Sequence, residues 1–444
     1  MKKFLIINEK IPDYLNKKIY VSGDKSLSIR FILFSSLASG KSIAKNLLSS
    51  EDVISAVNCI KKLGIKIIIK KNYCTVYGKG LWGYKYKNDI FLDAGNSGTT
   101  ARLLCASLID TNKDINLTGD NSLRKRDMQR IIDPLKRIGA RFVSKKGKLP
   151  LVIKANNNLK PINYFENLGS AQCKSAVMIA ALKTPGLTKL KCLPSRNHTE
   201  LMFKNVLNIP IKIKKNNKYD LIQLQGLQNF KSFDYNIPGD ISSASFFIVL
   251  TLLSKNSSIL IKNVNINPTR TGIVNILNMM GAKIKFRNKK SYKGEQNADI
   301  FVKSNNNLRS IKLNPKFNSL AIDEFLLIFL VAATCKGISI FKNLGELNKK
   351  ESKRLDWGFK ILKFMGIKVK KIKNDGLKIW GDPNLKIKQD IIIKDFLKDH
   401  RVFMVSVIAA LTIGGKWIIH DPDSIKTSFP KFLSIIRELG GKYN

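Results

Sequence analysis

The chain has 444 residues, 44% of them hydrophobic and 9% aromatic, which excludes a disordered polymer and suits two lobes of about 200 residues each. Its net charge of +46 brings nucleic-acid binding to mind, but the lysines are spread along the whole chain among Ile and Asn, with no basic arm or stripe. We therefore expect no nucleic-acid partner, and a positive field that draws small anionic ligands.

The N-terminal segment MKKFLIINEKIP has an apolar stretch of only four residues, too short for a signal-peptide core, and no run approaches a membrane span. The longest candidate, FLLIFLVAA at 325–333, is about half the length needed. Six scattered cysteines without CxxC pairing read as reduced thiols, so a cytoplasmic protein without a membrane partner is expected.

Val21–Arg30, VSGDKSLSIR, recurs in outline as Ile237–Phe246, IPGDISSASF. Both copies carry an apolar lead-in, a Gly-Asp turn, a serine and an apolar helix-like run. Lys25 and Arg30 of the first copy become Ile241 and Phe246 in the second, so the shared residues read as scaffold and the two cations as function. Lobe boundaries are expected at these turns, with residues 1–21 plus 238–444 in one lobe and 22–237 in the other. Two chain crossings then make a hinge, and the N-terminal strand belongs with the C-terminal half.

A finer repeat runs through CIKKLGIKIIIK (59–70), PLKRIGARFVSK (134–145), ILNMMGAKIKFR (276–287), ILKFMGIKVKKI (361–372) and IIRELGGKYN (435–444). Each predicts an amphipathic helix closed by a left-handed glycine and followed by a strand. VLNIPIKIKK (206–215) is a degenerate sixth copy. Six supersecondary units of strands and two helices follow, three per lobe, in an α/β fold.

Several predicted helices start with polar or charged residues: Asp24-Lys25-Ser26, Gly95–Thr100, Gly169–Gln172, Asp323-Glu324 and Asp399–Arg401. Each alone reads as a helix cap. Taken with cations at Lys25, Arg30, Arg126, Arg354 and Arg401, they make a candidate site for several anionic groups, because helix N-termini and arginine forks both receive phosphate and carboxylate. Other phosphate motifs fail. SSLASGKS (35–42) has Ser35 where a P-loop needs its first glycine, and no GxGxxG follows a strand. His198, His400 and His420 lack metal-ligand spacing, so no metal site is expected, and Cys173 reads as a packing residue with no histidine partner.

The motifs VSGDKSLSIR, LDAGNSGTTARLL, TGDNSLRKRDM, GSAQCKSAVMIAAL, NPTRTG, IDEF, KESKRL, DHR and TSFP, in this order over nearly the whole chain, resemble the EPSP synthase family. The resemblance implies a two-lobed inside-out α/β barrel of six βαβαββ units, with the site in the cleft between the lobes. It implies transfer of the enolpyruvyl group of phosphoenolpyruvate to the 5-hydroxyl of shikimate 3-phosphate by addition and elimination, without metal or cofactor. By the same resemblance, Lys25, Ser26, Arg30, Ser170, Ala171, Gln172, Arg196, Asp323 and Lys350 would hold shikimate 3-phosphate. Lys25, Gly98, Arg126, Gln172, Arg354 and Arg401 would surround phosphoenolpyruvate, and a monomer is expected. Asp323, Glu351 and Lys25 would be catalytic: Asp323 accepts the hydroxyl proton and Glu351 exchanges a proton at the methylene.

The plain alternative for Asp323 is a helix cap, and for Arg126 a solvated basic run with Arg124 and Lys125. Lys353 stands where the family usually has aspartate, a change that would either loosen Arg354 or raise the local positive potential. The rival readings are the sibling transferase acting on UDP-N-acetylglucosamine and a basic nucleic-acid-binding protein. The first usually carries a reactive cysteine that Thr118–Arg130 lacks.

Overall fold

A computed structural model describes every residue except Met1, Lys2, Asn72, Asn217 and Asn374. The chain divides into two compact units. One comprises Met1–Ser22, Pro238–Ser291 and Gln296–Asn444, and the other Gly23–Ile237 with Tyr292–Glu295. Each has its own hydrophobic core.

The second unit holds α1 (Lys25–Leu37), α2 (Glu51–Lys62), α3 (Gly98–Ser107), α4 (Gln129–Ile138), α5 (Ala171–Lys183) and α6 (His198–Asn205). The first holds α7 (Ile241–Leu253), α8 (Gly272–Met279), α9 (Phe325–Thr334), α10 (Arg354–Phe364), α11 (His400–Ile413) and α12 (Phe432–Glu438). The odd-numbered helices are apolar almost all round: every residue of α11, and every residue of α7 but its last, is buried. Such a helix belongs in a core, whereas α2 and α4 keep one charged face for solvent. Helices inside and sheets around them make the inside-out α/β fold.

There are six separate open sheets of three or four strands, and among the described residues none closes into a barrel. Strand Ile90–Asp93 runs parallel to Ile115–Thr118, with α3 between them in sequence. After α4, the hairpin Arg141–Ser144 and Leu151–Lys154 adds antiparallel to Ile115–Thr118. Strands Asn163–Glu166, Leu187–Cys192, Ile211–Lys215 and Asp220–Gln225 repeat this around α5 and α6. This is the βαβαββ unit expected from the sequence.

At each Gly-Asp turn the chain changes unit. Lys17–Tyr20 pairs parallel with Ser258–Asn265, the strand after α7, while Asp234–Asn236 pairs parallel with Ser39–Lys45, the strand after α1. Gly23 is required because a Cβ there would lie 2.1 Å from the Asn46 carbonyl oxygen. Both aspartates cap the following helix. Asp24 accepts from the Leu27 amide at 2.9 Å, and Asp240 accepts from the Ser242 amide at 2.8 Å and from Arg270 at 3.0 Å. Ile241 and Phe246 are buried in the core, as packing residues should be.

The five repeat glycines, Gly64, Gly139, Gly281, Gly366 and Gly440, all have positive φ. In the degenerate copy Asn208 adopts φ 52°, taking the glycine's place before strand Ile211–Lys215. The last copy has no strand after it; instead Asn444 and Ile6 exchange two backbone hydrogen bonds of 3.0 Å. The SSLASGKS segment runs from the end of α1 into strand Ser39–Lys45, the reverse of a phosphate loop's strand-to-helix order. Among the described residues no helix is long and apolar enough to cross a membrane.

The repeat glycines do not cost the same to replace. At Gly139 (φ 117°) a Cβ would lie 2.4 Å from the Asn158 carbonyl oxygen, whereas at Gly366 (φ 81°) it meets nothing within 4 Å. Gly366→Ala should lose only the left-handed strain, ~1–2 kcal/mol, and Gly139→Ala clearly more. Urea unfolding midpoints check this, and equal losses would contradict it.

Candidate active site

The predicted residues fall into two groups, one in each unit. In the first unit Asp323 precedes α9, Lys350, Glu351 and Arg354 lie at the start of α10, and Arg401 is in the first turn of α11. They are joined through Asp399, which is 0% exposed. The two Asp399 oxygens receive the Arg354 fork, Nε at 2.8 Å and Nη2 at 3.1 Å. The same carboxylate accepts from the Ser352 hydroxyl at 2.9 Å and caps α11 by accepting the Arg401 amide at 3.0 Å. Arg354, 2% exposed, also donates to Glu351 at 2.5 Å and to Asp323 at 3.3 Å.

Asp323 Oδ1 therefore lies between two cations, since Lys350 Nζ is 3.2 Å away. It does not cap the helix. Glu324 occupies the cap position of α9, and its side chain makes no cap hydrogen bond. Arg401 donates to the Asp323 carbonyl oxygen at 2.7 Å and lies 3.5 Å from Glu324 Oε1. Lys353 is exposed and leaves Arg354 firmly held by its carboxylates, so the aspartate missing at this position does not loosen the arginine.

Burial alone would raise the Asp399 carboxyl, but the charge and hydrogen bonds of Arg354, together with His400, hold the group below the usual carboxylate range. The Arg354 guanidinium in turn is raised: burial works against its charge, and Asp399 and Glu351 more than compensate.

In the second unit the start of α1 carries Lys25 and Ser26. Lys25 Nζ pairs with Asp52 Oδ2 at 2.9 Å. The Asp52 carbonyl oxygen accepts from Thr100 at 3.4 Å, which ties this corner to the start of α3. Arg30 is buried and spans three helices, donating Nε to Thr199 at 2.9 Å and Nη2 to Ser175 at 3.0 Å, with Nη1 on the Ser26 carbonyl oxygen at 3.2 Å.

Gly98, Arg126 and Gln172 converge on Arg102. Arg102 donates to the Gln172 amide oxygen and to the Asp127 carbonyl oxygen, while Gln172 donates to Thr99 at 2.8 Å. A Cβ on Gly98 would lie 3.3 Å from Nη1 of both Arg102 and Arg126. Arg126 donates to Asn96 at 2.7 Å, so it is engaged with this corner and is not merely part of a solvated run. Ser170 caps α5 by accepting from the Cys173 amide at 3.3 Å, with Ala171 and Gln172 half-buried beside it. Arg196 is half-buried on the turn leading into α6.

Burial pushes the Cys173 thiol up to about 12, as it does the other five, so none of them is a ready thiolate. Among the described residues no group of three or more His, Cys, Asp or Glu side chains could hold a metal ion.

Sequence reasoning missed three site residues. Asp399 was visible only as a helix cap, Arg102 sits inside an apolar run, and Asp52 reads as an ordinary first-turn acid. Asp399→Asn keeps the shape and removes the charge opposite Arg354. Losing one partner of a buried pair costs ~3–5 kcal/mol. Because the Asp399 carboxyl is held low, its stabilisation is complete above the unfolded value of about 3.9 and is lost as pH falls through the lower folded value. Urea midpoints should separate wild type from variant widely at pH 7 and progressively less below about pH 4; a difference independent of pH would contradict this.

A profile of the family described as EPSP synthase (3-phosphoshikimate 1-carboxyvinyltransferase) matches residues 10–436. The chain is 39% identical to the 3-phosphoshikimate 1-carboxyvinyltransferase of Ruthia magnifica over 445 residues, covering 100% of this chain and 99% of that protein. It is 38% identical to the protein of that name from Caldicellulosiruptor saccharolyticus, over 95% of this chain and 96% of that one. The solved EPSP synthase from Acinetobacter baumannii superposes with a TM-score of 0.85 at 33% identity, with 99% of each chain covered. The enolpyruvyl transferase NikO from Streptomyces tendae, at 13% identity and a TM-score of 0.78 over 99% and 98% of the two chains, shares the fold. With motifs, fold and relatives in agreement, this chain belongs to the EPSP synthase family, the 3-phosphoshikimate 1-carboxyvinyltransferases.

Proposed function

We propose that this chain transfers the enolpyruvyl group of phosphoenolpyruvate to the 5-hydroxyl of shikimate 3-phosphate, releasing inorganic phosphate. The observation that carries this reading is the cluster of Asp323, Lys350, Glu351, Arg354 and Arg401 around the buried Asp399. It supplies two carboxylates for proton transfer beside two arginines and a lysine for anionic groups. Such an arrangement suits acid–base chemistry on a doubly anionic enol ester.

In the addition step Asp323 accepts the 5-hydroxyl proton as the oxygen bonds to C2 of phosphoenolpyruvate, and a proton is delivered to C3 through Glu351. The product is a tetrahedral adduct with a methyl group. In the elimination step the methyl group returns a proton, the C2–O bond to phosphate breaks, and the double bond re-forms. No electrons change hands, so the chemistry needs charge neutralisation and proton carriers and no organic cofactor.

Arg126, Arg354 and Arg401 neutralise phosphoenolpyruvate, with Gly98 leaving room beside Arg126. Gln172 orients the same substrate. Lys25 serves both substrates, placing positive charge where phosphate charge grows as the C2–O bond breaks. Ser26, Arg30, Ser170, Ala171, Gln172 and Arg196 hold the phosphate and hydroxyls of shikimate 3-phosphate, and Lys350 holds it near Asp323. The absence of a cysteine in Thr118–Arg130 favours the shikimate substrate over UDP-N-acetylglucosamine.

Phosphate release from phosphoenolpyruvate should require shikimate 3-phosphate and not occur with UDP-N-acetylglucosamine. Asp323→Ala should lower kcat by about a hundredfold or more while ligand is still bound. Release with the sugar nucleotide alone, or full turnover by Asp323→Ala, would overturn the reading. Lys353→Asp should retain turnover within about twofold, since Lys353 is exposed and Arg354 is held by its own carboxylates; a large loss would show that Lys353 itself contributes.

A further inference from the structure

Glu166 lies outside every residue set discussed so far. It ends strand Asn163–Glu166 and is 1% exposed. Its Oε1 reaches forward to accept the amides of Leu168 at 3.0 Å and Ser170 at 3.1 Å, while its backbone oxygen accepts the Leu193 amide at 3.1 Å. The other carboxylate oxygen, Oε2, is buried with no hydrogen-bond partner among the described residues. Burial pushes the Glu166 carboxyl up, and the amides of Ser170 and Leu168 work against that rise. A carboxylate this enclosed costs stability, so its two amide bonds need a reason.

The segment it holds has no apolar anchor. Asn167 and Leu168 are exposed, and Gly169 has no side chain and adopts φ 64°. The Glu166 carboxylate is thus what ties this turn inward. The turn ends in Ser170, whose hydroxyl accepts the Cys173 amide to start α5. Glu166 and Ser170 together occupy the amides of Leu168, Ser170 and Cys173. Ala171 and Gln172 then carry the helix-start amides that neither of them accepts. One turn further along, the buried Lys174 pairs with Glu200 at 2.6 Å and also favours the Glu166 charge.

We propose that Glu166 is a positioning residue for the Ser170–Gln172 turn, and through it sets the affinity for shikimate 3-phosphate. This rests on the reading that Ser170, Ala171 and Gln172 bind that substrate. Glu166 acts on the turn as a hydrogen-bond acceptor, while its charge is felt by the buried Lys174 and not by the turn. Glutamine, which keeps a carbonyl oxygen at the same reach, should therefore serve. Aspartate, with its carboxylate withdrawn by about one C–C bond (~1.5 Å), should not.

The test measures the dissociation constant for shikimate 3-phosphate by titration calorimetry, with kcat and both KM values, for wild type, Glu166→Asp, Glu166→Gln and Glu166→Ala. We expect Glu166→Asp and Glu166→Ala to weaken shikimate 3-phosphate binding roughly tenfold, about the worth of one lost hydrogen bond. The KM for phosphoenolpyruvate should move less, and Glu166→Gln should restore most of the affinity. If Glu166→Ala does not fold, Glu166→Asp against Glu166→Gln still decides. Unchanged affinity in Glu166→Asp, or an equal loss in Glu166→Gln, overturns the proposal. Failure of the wild type to bind shikimate 3-phosphate instead overturns the substrate assignment on which it rests.

Discussion

A helix packed on every side meets most of its polar partners near its ends, and this constraint organises both units. The inner helices α1, α3, α5, α7, α9 and α11 bury nearly all their residues, so their backbone groups are satisfied along their length and left over at the first turn. Those first turns carry Lys25, Gly98, Ser170, Asp240, Glu324 and Arg401 or sit directly beside them. The hydrophobic demand that puts the helices inside therefore also decides where charge can collect. Fold and site share one cause.

Within the first unit the second requirement is that the cations be held before a ligand arrives. Asp399 meets it with one carboxylate that caps α11, receives the Arg354 fork and accepts from Ser352. An arginine so enclosed is a preorganised charge, and little rotamer freedom remains to be lost on binding. The second unit uses a different device for the same end. Arg102 joins Gln172 to the segment that carries Arg126, and Asp52 steadies Lys25. In both units the groups proposed to touch substrate are held by polar neighbours that themselves lie below the surface.

Much of the fold was legible because its signals are local. A glycine after an amphipathic run marks a left-handed helix end wherever it occurs, and Gly64, Gly139, Gly281, Gly366 and Gly440 all obey. Asn208 obeys as well, in the copy that has no glycine. The ordered motifs identified the family, which the relatives bear out. What the residues alone could not reveal were partnerships between distant segments: Asp399 with Arg354, Arg102 with Gln172, and Glu166 with the turn after it. A capping aspartate and an aspartate that anchors an arginine look alike in one dimension. The inside-out α/β fold implied by the resemblance is built from six open sheets. The shared Gly-Asp residues read as scaffold, and Asp240 serves that role both by capping α7 and by pairing with the buried Arg270.

The polar starts of the inner helices are proposed to receive the substrate's charge. A crystal structure with shikimate 3-phosphate bound tests this most directly. The phosphate should lie at the start of α5, against Ser170 and Gln172 with Lys25 nearby. A phosphate bound instead among surface lysines, with Ser170 untouched, would contradict it.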